Sequence, residues 1–146
     1  MPSCSLGMMD IQIAALCDFA VDYGGRLCIF GVFESLSFPS FPALHLQCAI
    51  VLRVSFRKED EGNHRLLLNF VDADGQSIVP PLDTQMALEL PPDGFCAARN
   101  FILNLQNLKF DKAGLYAVDI SLDNRSVASI PLTVRQFDWK PASPPA

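Results

Sequence analysis

The chain has 146 residues, half of them apolar and 18% charged, with a formal net charge of −5. That length and apolar content specify one domain with a sizeable core and exclude intrinsic disorder. The acidic balance lacks the basic footprint that nucleic acid or an anionic membrane requires, so neither is an expected partner.

The opening MPSCSLGMMDIQIAALCDF has no Lys or Arg ahead of its apolar stretch, and Asp10 interrupts it, so no secretory signal is expected. Cys4 stands too near the start to follow a lipoprotein signal, and no run approaches the ~18 apolar residues of a membrane span. The five cysteines, Cys4, Cys17, Cys28, Cys48 and Cys96, are odd in number and contain no C-x-x-C pair. Four of them lie in apolar strand-like runs, where a free thiol acts as a small hydrophobe, and a reducing cytoplasm is the expected location.

The hydrophobic period is two along most of the chain. In 11–21 the odd positions Ile11, Ile13, Ala15, Cys17, Phe19 and Val21 share one parity and predict a core-directed face. Tyr23-Gly24-Gly25 supplies a turn. The run 26–36 is apolar on both parities, so both its faces want cover, from a second sheet and from a loop or another subunit. In 47–56, Cys48, Ile50, Leu52, Val54 and Phe56 point inward, and 57–63 is a charged loop. The strand 64–71 runs into the D-A-D-G turn 72–75, and Pro80-Pro81 marks a break or a sheet switch. Alternation returns in 84–90, followed by the P-P-D-G turn and by 101–108, which its asparagines favour as strand over helix. Strands 114–122 and 126–134 form the last hairpin, with Pro131 at an edge or bulge. About eight or nine short strands predict an all-β fold, a two-sheet antiparallel, immunoglobulin-like β-sandwich over residues 1–134, with a Pro-rich tail over 135–146.

D-K-A-G-L-Y (111–116) resembles the corner of immunoglobulin-type sandwiches, where a tyrosine hydroxyl bonds back across the turn, although here the Asp-to-Tyr spacing is one residue longer. D-A-D-G has the look of half a calcium loop, but no acid follows until Asp83, and a plain turn is the better account. His45 and His64 are the only histidines, and a Cys48–His45 pair would fall on opposite sides of a pleated strand. No nucleophile elbow, zinc signature or phosphate loop is present, so no enzyme, cofactor or metal is expected.

The stretches Asp18-Phe19-Ala20, Gly24-Gly25-Arg26-Leu27, Gly31-Val32-Phe33 and Phe41-Pro42-Ala43-Leu44-His45 carry a family pattern: D-F-A, then G-G-R-L, G-x-F and F-P-A-x-H. Through them the chain resembles a bacterial family of uncharacterised small all-β proteins, a domain of unknown function, over most of 15–134. The resemblance implies the β fold and no catalytic residue. The loop S-F-P-S-F-P invites two accounts: Phe38 and Phe41 plug the end of the core, or they present themselves to a partner. The expected function is a non-catalytic interaction or scaffold module that self-associates or joins a complex, with Phe30, Phe38, Phe41, His45 and Trp139 as its surface. The alternative is a small-ligand or carbohydrate-binding sandwich that stacks Phe38, Phe41, His45 and Trp139 on its ligand. Phe137 and Trp139 are expected to dock on the body or a second copy.

Overall fold

The computed structural model describes residues 9–94 and 96–138. Within them the chain forms nine strands: β1 (Asp10–Tyr23), β2 (Arg26–Val32), β3 (Ser35–Phe38), β4 (Ala43–Arg57), β5 (Gly62–Val71), β6 (Leu82–Leu88), β7 (Cys96–Phe110), β8 (Gly114–Leu122) and β9 (Arg125–Gln136). A four-stranded sheet has the order β2-β1-β4-β7 and a five-stranded sheet the order β3-β9-β8-β5-β6. The fold is all-β.

The two sheets share one core. The inward parities of β4, β8 and β9 are as the alternation predicts: Ile50, Leu52 and Val54 face Val118, Ile120, Leu122, Ile130 and Leu132 in one buried cluster. Phe110 sits at the centre of its aromatic end. Its ring lies 5.0 Å from Tyr116, 5.9 Å from Phe38 and 6.2 Å from Phe70, so it joins both sheets. The Tyr116 hydroxyl donates to the Lys112 carbonyl at 2.7 Å, closing the corner despite its extra residue. Asp72 caps its own turn, its carboxylate accepting from the Asp74 and Gln76 amides, while Gly75 at φ 80° closes it. Pro81 marks a break before β6 within one sheet. Pro131 pairs with Ala117 where the other side of β9 is still open, since β3 joins only from Thr133.

Three expectations are corrected. The sheets are not wholly antiparallel, because β3 runs parallel to β9. The run 26–36 is not one strand: the Phe33 amide bonds Leu16 in the first sheet, whereas the Glu34 carbonyl accepts from Thr133 in the second. The chain changes sheets between those two residues and arrives at the free side of β9 running the same way. In β1 the single odd-parity face fails. A register shift between Ile11 and Ile13 turns Leu16 into the main core and sends Ile13, Ala15 and Cys17 to the outer face. A further change of parity in β4 and β7 occurs beside Asn107, which adopts φ 54°. It brings His45 and Ala43 to the core side along with Cys48.

Candidate interaction surface

The tip of the β1–β2 hairpin does not continue the plane of its sheet. It curls over the outer face of β4 and β7. Arg53 of β4 donates to the Gly25 carbonyl at 3.1 Å and to Asn100 Oδ1 at 2.7 Å. Asn100 of β7 in turn donates to the Gly25 carbonyl and to Asp22 Oδ2, both at 3.1 Å. The Asn100 hydrogen bond, then the Gly25 amide and nearby Arg53, hold the Asp22 carboxyl below its ordinary range. Beneath the curl lies a second small core of Cys17, Ala20, Ala49 and Val51, with Leu27, Ile29 and Ile102 against it. The bend needs Gly31. Its φ is 69°, and a Cβ there would stand 2.3 Å from Asp18 Oδ2.

Because one face of the hairpin is used for this inner packing, the other faces water. Phe19 pairs with Phe30, Val21 with Cys28 and Tyr23 with Arg26 on that outward parity. Phe19 is 48% exposed, Phe30 55% and Tyr23 74%, with Val21 and Val32 also exposed. The Phe19 and Phe30 rings are 5.4 Å apart, so they form one apolar patch. Arg26 at the tip is the one charged residue in these three pairs. Contiguous exposed apolar surface of this kind marks interaction sites.

The residues singled out from sequence do not converge. Phe30 lies on the hairpin patch. Phe38 and Phe41 pack against the main core, with ring centroids 6.1 Å apart, and so act as a plug at the Phe110 end. His45 is set edge-on to Phe33 at 5.7 Å. Phe137 is held by its amide, which donates to the Phe38 carbonyl at 3.1 Å, while Trp139 lies outside the described residues. Phe19, Val21 and Tyr23 were missed as surface, although the two-sided apolarity of 26–36 signals that this hairpin has a face to spare.

Burial pushes the Cys48 thiol up to about 11 and raises Cys17 as well, so both stay protonated. Cys17, Cys28 and Cys48 are free, but Cys96 is disulfide-bonded, which corrects the expectation of a free thiol there. Among the described residues no group of three or more His, Cys, Asp or Glu is placed to hold a metal ion. Among the same residues no helix is long and apolar enough to cross a membrane.

His64 places Nδ1 2.6 Å from Asp123 Oδ2 and Nε2 2.5 Å from the Asp60 carbonyl. Both partners are acceptors, so the ring can donate to both only as imidazolium. Burial opposes that charge, but the bonds to Asp123 and Asp60 outweigh it and raise the His64 pKa above 6.5. The same bond lowers Asp123 below 3.8. The contribution of His64 is therefore full below pH 6.5 and is lost as pH rises through the raised value. That of Asp123 is full above pH 3.8 and is lost as pH falls through the lowered one. With Asp123 partly open to water, only a small part of the stability should disappear on the alkaline side. Urea denaturation across that range should show the decline in the native chain and its absence in His64→Gln.

The arrangement defines a class: an all-β domain of two sheets whose first hairpin folds back over the outside of its own sheet. The chain belongs to a family of unknown function, DUF6941, whose model matches residues 12–135. No curated protein matches it at a significant level. Among solved structures, the alkylpurine DNA glycosylase AlkC of Pseudomonas fluorescens, bound to DNA containing an abasic site analog, aligns with a TM-score of 0.46 and 8% identity. The match covers 88% of this chain and 30% of that one. A score that low bears on neither fold nor role.

Proposed function

We propose that the protein is a non-catalytic interaction module that self-associates through the outward face of the β1–β2 hairpin. The observation that carries this is the patch of Phe19, Val21, Tyr23 and Phe30, left exposed while the opposite face of the same hairpin is packed. A second copy is the partner this patch fits. Its Phe19/Phe30 and Val21/Cys28 pairs carry no charge, so the face meets itself without the repulsion that a chain of net charge −5 otherwise brings. Among the described residues β2 is also the outer strand of its sheet, so a two-fold axis beside it brings two identical patches together. An uncharged apolar face likewise favours protein over nucleic acid or an anionic membrane. The non-catalytic part of the reading is supported by the state of the reactive groups: two thiols held protonated by burial and a histidine, His64, occupied at both nitrogens.

The finer features belong to the same reading. The Tyr116 corner supports an immunoglobulin-like sandwich, and the family pattern supports a bacterial source. Among the described residues the free thiols Cys17, Cys28 and Cys48 support the cytoplasm, against which the Cys96 disulfide weighs, since reducing compartments keep thiols open. Carbohydrate binding gains no support from Phe38 and Phe41, which are turned into the core. Static light scattering tests the proposal. The apparent mass should rise from the 16.0 kDa of one chain toward twice that value as concentration goes from low to high micromolar. A constant monomer mass would contradict it.

A further inference from the structure

At the other edge of the four-stranded sheet the main core is open. Among the described residues, β7 is the outer strand there and β6 is the outer strand of the five-stranded sheet. Between them lies a cavity of about 350 Å³, every lining residue of which is apolar. Its walls include the buried Ile50, Leu68 and Phe70 and the half-buried Leu82, Leu103 and Leu105, with exposed Pro80 and Pro81. We propose that this cavity binds a small, neutral, hydrocarbon-like molecule.

The gap is built into the backbone. Pro80 and Pro81 have no amide hydrogen, so the segment entering β6 has no donors there with which to close onto the free edge of β7. The wall on that side is fixed independently of the cavity's contents: the Ile78 amide bonds the Phe70 carbonyl at 2.8 Å, and Ser77 bridges to Val71. The opposite wall belongs to the long β4–β7 ladder, which pairs from Ala43↔Phe110 to Arg57↔Cys96. A space held open by hydrogen bonds on both sides is preorganised for an occupant.

Size and chemistry define that occupant. At roughly 30 Å³ per small group, the space takes about ten to twelve heavy atoms. No lining side chain is available to pair with a buried charge, which would be strongly disfavoured there, so the ligand is neutral where it is enclosed. Binding would remove the half-exposed faces of Leu103 and Leu105 from water, which supplies the driving force. The site lies at the opposite sheet edge from the hairpin patch and does not depend on self-association.

The test is an n-decanol titration of the full chain followed by the methyl resonances. Saturable shifts should centre on Val79, Leu82, Leu103 and Leu105, and Leu103→Trp, which fills the opening, should weaken binding at least about tenfold. Leu105→Phe serves if the tryptophan variant fails to fold, and the shift map of the native chain needs neither. Phe19→Ser/Phe30→Ser should bind decanol as the native chain does. Shifts that do not saturate, or that centre on Val21 and Val32, would overturn the proposal.

Discussion

Phe110→Ala is expected to lower the unfolding free energy by about 3–5 kcal/mol. Phe110 is fully buried, and its ring is the common neighbour of Phe38 from β3, Phe70 from β5 and Tyr116 from β8. Removing it leaves a void that two hydrogen-bonded sheets cannot close by moving one side chain. It also undercuts the plug, since Phe41 meets Phe38 and Phe38 meets Phe110. Urea denaturation reads the change directly, and Leu115→Ala, at an exposed position of β8, is the near-neutral control. A loss below about 1 kcal/mol would show that the aromatic end is not a packed part of the core.

The second large effect falls on assembly. Phe19→Ser/Phe30→Ser should weaken self-association by about a thousandfold, because in a two-fold interface each lost ring counts in both copies and about 1 kcal/mol per ring reaches that factor. The monomer should lose little stability. Both rings are about half exposed, and the inner face of the hairpin keeps its packing on Ala49 and Val51. Sedimentation velocity separates the two effects. A variant that associates like the native chain would place the contact elsewhere.

The two-sheet architecture was legible where alternation runs unbroken. Cys48 to Phe56, Tyr116 to Leu122 and Ile130 to Val134 bury the residues their parity selects, because a pleat of period two leaves no other choice. It was illegible where one residue rotates the chain. The shift near Gln12, the positive φ of Gly31 and that of Asn107 each exchange the faces, and none of them interrupts the apolar pattern. The sheet change at Phe33–Glu34 leaves no mark in composition either. For the candidate surface, the doubly apolar run 26–36 pointed at Phe30. Alternation alone turns Phe19 and Val21 inward, because the contacts that curl the hairpin are non-local: Arg53 to Gly25 and Asn100 to Asp22 join residues far apart in sequence. The Phe-Pro loop left two accounts open in sequence. The ring of Phe110, some seventy residues on, fills the place against which Phe38 packs.

Cys28 offers the most direct test of the hairpin as an interface. It is a free, half-buried thiol paired with Val21 on the outward parity of the patch, while Cys17 and Cys48 are buried internal references. N-ethylmaleimide labelling, resolved by peptide mass spectrometry at low and high protein concentration, should show Cys28 modification slowing as the chain associates. Cys17 and Cys48 should stay slow throughout, and Phe19→Ser/Phe30→Ser should keep Cys28 fast. A Cys28 rate independent of concentration, in a preparation that scatters as a dimer, would contradict the hairpin face as the contact.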